Sequence, residues 1–283
     1  MPSLSHERVF RKIQGEPAVM NRVFLTPKLL NPIYAAQKIW LYGRSRYVLG
    51  EDDIIFAVFP KTGSTWVRFF LFNLLTEING NSKSLSFDNL DSTMAEFGHR
   101  SMFNPWPFAL PRLIKTHQPY NLLFKGHRAM MVVRDPRDIM VSYYYHTRAK
   151  VTNDSDSSLY DAVYHPRWGL EAFFQHYQSW KDIVGLVVKY EELKTEPLTH
   201  FRRISTFCAI EAEDAQIERA IQGASISNMR KAQQASTETF KNFDKNFVFA
   251  RKGTVAQWVE YFDADLVAYY EQLKQQYRFD LYT

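Results

Sequence analysis

The sequence predicts a three-layer α/β protein, a central parallel β-sheet flanked by helices. Four short, near-continuous apolar runs, 53–59, 112–116, 129–133 and 184–189, suit strands buried on both faces. Longer stretches with helical apolar spacing lie between them, and strands that alternate with helices build parallel sheets. A third observation places function. Lys61, Lys115 with His117, and Arg134 stand at the ends of three of these runs, where open parallel sheets bind ligands.

Composition agrees with one domain over residues 1–283. The chain has 46% hydrophobic and 16% aromatic residues, ample for a core and an apolar pocket. Its net charge of +5 favours an anionic ligand but is too small to argue for nucleic acid. With Cys208 as the one cysteine, an internal disulfide is excluded and a zinc cluster is not expected. A reducing, cytoplasmic compartment follows as the expectation. Residues 1–16 are polar, without the apolar core of a signal peptide, and no run approaches the roughly 20 apolar residues of a membrane span.

The elements follow in order. Residues 1–46 read as an N-terminal extension with an amphipathic helix, capped by Asn31, opened by Pro32 and ended by Gly43. Ile33, Ala36, Ile39, Trp40 and Leu41 form its apolar face, which is expected to pack on the domain; peripheral membrane contact is the alternative. The first strand, 53–59, leads through Pro60 into a helix over 65–78, stopped by Asn79-Gly80. A short helix is expected near 91–97, then strands at 112–116 and 129–133. Pro136 opens a helix to about Lys150, with Asp135 as its cap, and 151–168 read as a polar loop. A helix at 169–181, the strand 184–189, and helices at 196–208, 213–223, 225–234 and 263–277 complete the pattern. Residues 235–250, polar with interleaved Phe, read as a covering loop.

The stretch Pro60-Lys61-Thr62-Gly63-Ser64-Thr65-Trp66 carries the chemistry. A strand feeding a donor-rich turn and a helix N-terminus makes an anion site, because first-turn N–H groups are unpaired and the helix dipole favours negative charge. An ATP- or GTP-binding P-loop needs Gly-x4-Gly-Lys-Ser/Thr. Here Lys61 precedes the loop's only glycine, and no strand ends in an Asp placed for magnesium. A metal-dependent kinase or nucleotide hydrolase is therefore the weaker alternative, and no metal is called for.

Four segments resemble the sulfotransferases that use 3′-phosphoadenosine 5′-phosphosulfate (PAPS), the soluble small-molecule branch in particular. Residues 60–66 are similar to the 5′-phosphosulfate loop, and Arg134 through Ser142 to the 3′-phosphate element. Lys115-Thr116-His117-x-Pro119 resembles the segment with the catalytic histidine, and Arg251-Lys252-Gly253 with Trp258 the late Arg-Lys-Gly motif. All four occur in the family's order within about residues 50–260. The resemblance implies a P-loop-NTPase-like sulfotransferase fold and in-line transfer of the sulfuryl group to a hydroxyl or amine, releasing adenosine 3′,5′-bisphosphate.

By that resemblance His117 is the base, with Lys61 and Lys115 stabilising charge at the transferring group. Thr62, Gly63, Ser64 and Thr65 bind the 5′-phosphate. Trp66 stacks on adenine, Tyr190 contacts it, and Ser225, Ile226 and Met229 line it. Arg134, Ser142, Arg251, Lys252 and Gly253 hold the 3′-phosphate. The chain departs from the family at Ala256-Gln257, where Gly-Asp is usual, and at Val259–Leu266, where the animal enzymes' dimer motif is missing. It departs again at His146, which replaces a ring-clamping Phe. Phe103, Trp106, Phe108, His146, Phe243 and Phe247 are the expected acceptor wall. The expected partner is a small, partly polar hydroxyl compound, with a lipid-like alcohol as runner-up.

Overall fold

The computed structural model describes residues 31–80, 85–108, 110–151 and 158–282; what the sequence predicts for residues 1–30 lies outside these. Four strands, β1 (Ile54–Val58), β2 (Leu113–Thr116), β3 (Arg128–Val133) and β4 (Leu186–Lys189), form one parallel sheet in the order β2-β1-β3-β4. Ile55 of β1 stands opposite Ile114 on one side and Ala129 on the other, and Val133 of β3 pairs with Lys189 of β4. The chain reaches β2 on one side of β1 and β3 on the other. Strand order therefore reverses at β1, and its carboxyl end is the crevice where such sheets bind ligands.

All five β1 residues are buried, and they alternate between two cores. Ile54, Phe56 and Val58 face one core, filled by Phe69, Phe70, Leu74 and Phe201. Ile55 and Ala57 face the other, with Ile114, Met131, Phe124 and Trp180. A strand with apolar residues toward both faces has no amphipathic alternation, which is why the run reads as continuous hydrophobicity. A third core joins the helices beyond β3 around Phe173, Phe174, Leu266 and Tyr270.

The helices are α1 (Pro32–Val48), α2 (Ser64–Ile78), α3 (Phe87–Thr93), α4 (Pro136–Arg148), α5 (Leu159–Val163), α6 (Leu170–Trp180), α7 (Tyr190–Thr195), α8 (Pro197–Phe207), α9 (Asp214–Gly223), α10 (Ile226–Gln234) and α11 (Ala264–Gln276). Several differ from the sequence expectation for local reasons. Gly43 does not end α1: Ser45 is fully buried and its hydroxyl accepts from Gly98 N, so packing carries the helix to Val48. The helix expected at 91–97 lies at 87–93, because the Ser86 side chain caps it by accepting from Asn89 N. The segment read as a polar loop contains α5, opened by a reciprocal capping box between Ser158 and Asp161. The run after β4 continues directly into α7.

Helix α1 also departs in its packing. Ile33 is 69% exposed, Ile39 74% and Trp40 55%, so the apolar face expected against the domain points outward. Residues 235–250 hold no helix or strand. Asp88 anchors them by accepting from the N–H groups of Thr237, Glu238 and Thr239 and from the Thr239 hydroxyl. A short bridge between Lys150 and Phe243 ties the same loop to the end of α4.

Candidate active site

The loop after β1 builds the site from strain and from missing partners. Lys61 (φ 73°) and Gly63 (φ 95°) both take left-handed backbone. For Lys61 that conformation is unusual and marks a locally strained turn. Gly63 is the N-cap of α2 and has no side chain to cap it. The first-turn N–H groups thus stay available to an anion. Thr62 turns the other way: it is fully buried, and its hydroxyl donates to Phe59 O at 2.9 Å, bracing the loop from beneath. Its expected phosphate contact through the side chain is therefore corrected to a structural bond.

A cavity of about 760 Å³ opens beside this loop. Its lining includes Lys61, Gly63, Ser64, Thr65, Trp66, Lys115, His117, Arg134, Ser142, His146 and Tyr190, together with Ser225, Ile226, Met229 and Arg251–Gly253. Residues scattered over nearly two hundred positions thus meet on one surface. Gly63 is required at its place, since a Cβ there would lie 2.5 Å from the Tyr190 ring. The left-handed backbone alone disfavours any side chain by roughly 1–2 kcal/mol. Gly63→Ala is expected to weaken adenosine 3′,5′-bisphosphate binding at least about tenfold, measured by calorimetry. It should also lower the melting temperature.

Trp66 meets Tyr190 and Phe201 edge-on, at 5.8 and 5.2 Å, and lines the cavity. Lys194 stands over the same indole at 5.8 Å. Gly253 (φ 63°) approaches Ile226 closely, and the Tyr190 hydroxyl donates to Gly253 O, joining the late motif to this wall of the cavity.

Arg134 is buried and stacks on Tyr190 at 4.5 Å. One guanidinium nitrogen donates to Thr254 O and reaches Asp138, but its Nε is buried without a partner. An unsatisfied buried donor costs free energy unless a ligand accepts from it. Arg251 stacks on Tyr145 at 4.0 Å and donates to Gln257 Oε1 at 2.6 Å. Arg137 and Asp138 are both buried and structural: Arg137 pairs with Asp135, and Asp138 accepts from Trp258 N. A nucleotide with two separate phosphate groups fits this arrangement, with the uncapped α2 end at one place and Arg134, Arg251 and Lys252 at another.

His117 and Lys61 both line the cavity. His117 Nδ1 lies 2.7 Å from Val58 O. A carbonyl only accepts, so Nδ1 carries the proton and Nε2 is the free base. Burial, with Lys115 adding to it, pulls the imidazole down to about 3, against Glu96 and the Val58 carbonyl. At that value the ring is neutral throughout the ordinary pH range. Burial and the neighbouring Arg134, Lys150 and Lys115 pull Lys61 down to about 7, and its Nζ sits over the Phe249 ring at 4.6 Å.

Lys115 is held by Glu96 at 2.8 Å, and that ion pair depresses the Glu96 carboxyl to about 2 despite its burial. Glu96 had no sequence signal: a bridge between residues 96 and 115 brings it there across the sheet edge. Gln257 and Phe249 also line the cavity, and neither was among the expected site residues. Gln257 was visible only as a departure from a motif.

The acceptor wall is largely relocated. Trp106 and Phe108 border a separate shallow hollow with Gly50–Asp53, where Trp106 Nε1 donates to Leu110 O. Phe103 packs on α1, against Trp40 and beneath Arg44. Phe243 and Phe247 stack on each other at 4.5 Å and back His146 rather than facing the cavity themselves. His146 does face it, and burial followed by the charges of Lys61 and Lys150 lowers its imidazole to about 2. Among the described residues there is no group of three or more His, Cys, Asp or Glu arranged for a metal. None of the described helices is long and apolar enough to cross a membrane.

Known proteins share this construction. The model of the sulfotransferase domain matches residues 51–278. Sulfotransferase 1C2 of Oryctolagus cuniculus is 24% identical over 255 residues, covering 80% of this chain and 82% of the relative. Cytosolic sulfotransferase 15 of Arabidopsis thaliana is 25% identical over 244 residues, covering 75% and 67%. Among solved structures, mouse sulfotransferase SULT7A1 complexed with PAP superposes with a TM-score of 0.64 at 22% identity, covering 85% of this chain and 90% of the other. Retinol dehydratase in complex with androsterone and PAP gives 0.67 at 18% identity, covering 85% and 86%. These similarities in structure establish the α/β sulfotransferase fold. The match over residues 51–278 shows that the chain belongs to the sulfotransferase domain family, as an enzyme of the PAPS-dependent class.

Proposed function

We propose that this enzyme transfers the sulfuryl group of PAPS to a hydroxyl of a small-molecule acceptor, in line, without a metal ion. The observation that carries the reading is the pairing of a free His117 Nε2 with Lys61 on one cavity wall. His117 takes the proton of the acceptor hydroxyl as that oxygen bonds to sulfur. Lys61 steadies the negative charge that gathers on the bridging oxygen as its bond to sulfur breaks. The donor supplies an activated sulfuryl group. The chain's part is positioning and charge, as in phosphoryl transfer.

The uncapped start of α2 and Ser64 with Thr65 hold the 5′-phosphate, and Trp66, Tyr190, Ser225, Ile226 and Met229 hold adenine. Arg134, Ser142, Arg251, Lys252 and Gly253 hold the 3′-phosphate, where the orphaned Arg134 Nε finds its acceptor. Lys115, held by Glu96, serves the transferring group from the β2 side. The bound androsterone and PAP of the solved neighbour support a small-molecule acceptor.

A second reading, a lipid-like alcohol taken at a membrane surface, is favoured by exposed Ile33, Ile39 and Trp40 beside Lys38 and Arg44 on α1. Calorimetry tests the proposal at its base: adenosine 3′,5′-bisphosphate should bind at least about a hundredfold more tightly than ATP with magnesium, from the second phosphate's charge-assisted bonds. Equal or reversed affinities would overturn it.

A further inference from the structure

Two guanidiniums on the cavity wall are held in the same manner, and a single turn holds both. Arg134 lies over the Tyr190 ring at 4.5 Å, and Arg251 lies over the Tyr145 ring at 4.0 Å. Arg134 Nη2 donates to Thr254 O at 3.0 Å. Arg251 Nη2 donates to Gln257 Oε1 at 2.6 Å, and Gln257 Nε2 donates to the same Thr254 O at 3.1 Å. One carbonyl therefore accepts from Arg134 and Gln257 together, which occupies both of its lone pairs. The Gln257 side chain is buried, lines the cavity and completes the series Arg251–Gln257–Thr254–Arg134.

The turn that carries this amide is itself fixed. Ala256 takes left-handed backbone (φ 57°), and Trp258 N donates to Asp138 Oδ1 at 2.9 Å. Asp138, on α4, also reaches Arg134 at 3.5 Å, whereas Arg251 has no carboxylate partner among the described residues. An amide can accept from a guanidinium and donate to a carbonyl at once, and it adds no charge. A carboxylate in its place would accept without donating and would offset the charge that it holds. Arg134 Nε, buried without a partner, shows that this wall still lacks an acceptor.

We infer that Gln257 is a positioning residue for the nucleotide's 3′-phosphate: it keeps Arg251 and, through Thr254 O, Arg134 in register and leaves the charge of Arg251 whole. The inference rests on the sulfotransferase reading above and assigns the source of its selectivity for a 3′-phosphorylated nucleotide. Arg134 and Arg251 meet the phosphate, and Gln257 acts through them. A glutamine that only closes its own turn predicts equal effects on nucleotides with and without a 3′-phosphate.

Calorimetry on the full chain with adenosine 3′,5′-bisphosphate and with adenosine 5′-monophosphate separates the two. Gln257→Met removes the amide at similar size. Gln257→Glu keeps the acceptor for Arg251 but loses the donor and adds a charge. Each variant should weaken bisphosphate binding by roughly tenfold or more, the scale of one charge-assisted bond, and leave monophosphate binding unchanged. In turnover the loss should fall on KM for PAPS and not on kcat. Melting temperatures report folding separately, and should Gln257→Met not fold, Gln257→Glu decides alone. Equal losses with both nucleotides, or a bisphosphate preference that either variant keeps, would overturn the inference. Failure of the sulfotransferase reading looks different: the unmodified chain would bind the bisphosphate no more tightly than the monophosphate.

Discussion

Replacing His117 with alanine is expected to lower sulfuryl transfer by about 10²–10⁴-fold, the usual worth of a positioned general base. The fold prepares the imidazole for that task in two ways. The Val58 carbonyl takes the Nδ1 proton, and burial beside Lys115 keeps the ring neutral. On the proposed mechanism the ring then accepts a proton without first having to lose one. Nucleotide affinity should change little, because His117 lies at the transfer end and not among the groups holding the two phosphates. Turnover with a labelled sulfuryl donor and calorimetry with adenosine 3′,5′-bisphosphate measure the two effects separately. Residual activity within tenfold of the wild type would move the role elsewhere. His146, the other imidazole on the cavity wall, would then be the first to examine.

Lys61→Met should cost about 10²–10³-fold in kcat, comparable to the loss of one preorganised donor at a developing oxyanion. It should also change the pH dependence of nucleotide binding. In the free protein Lys61 is pulled down to about 7 by burial and by Arg134, Lys150 and Lys115. A phosphate bound beside it supplies the missing counter-charge and raises it again. Binding therefore takes up a proton wherever the free lysine is neutral. Affinity is fullest below about pH 7 and falls as pH rises through and above that value, by up to about tenfold per unit. The fall ends where the lysine of the complex itself deprotonates. Titrations between pH 7 and 9 should show this slope in the wild type and a flat profile in Lys61→Met. A slope shared by both proteins would assign the proton to another group.

The strain at Lys61 belongs to the same design. Lys61, with its left-handed backbone, lines the cavity, while Thr62 turns inward to Phe59 O. Adjacent residues in such a tight turn point opposite ways. The polar residues of this loop therefore do not all become side-chain ligands.

Most of the framework was legible in the order of residues. β1, β2 and β3 are short, mostly buried runs with site residues at their ends, so local pattern located Lys61, Lys115, His117 and Arg134 within a residue or two. Helix ends set by side chains were less legible. Ser86, Ser158 with Asp161, and Ser45 each decide where a helix starts or continues, and each acts through a bond that hydrophobic spacing does not report. The acceptor wall was read least well. Trp106 and Phe108 look like pocket residues by composition, yet they border a hollow beside Asp53. Aromatic content says that such rings will be covered, not by which neighbour.

The sequence by itself determined the parallel α/β framework, the donor-rich turn from Lys61 to Thr65, and the set of cations at the strand ends. Those features depend on residues close together along the chain, whose geometry follows from backbone periodicity and turn chemistry. Only the tertiary structure decided what each group became. It gave His117 its free nitrogen through Val58, joined Lys115 to Glu96, left Arg134 Nε unpartnered, turned the apolar face of α1 outward, and tied Arg251 to Gln257. Protonation, pairing and exposure depend on burial and on charges brought from distant positions, and chain folding supplies both.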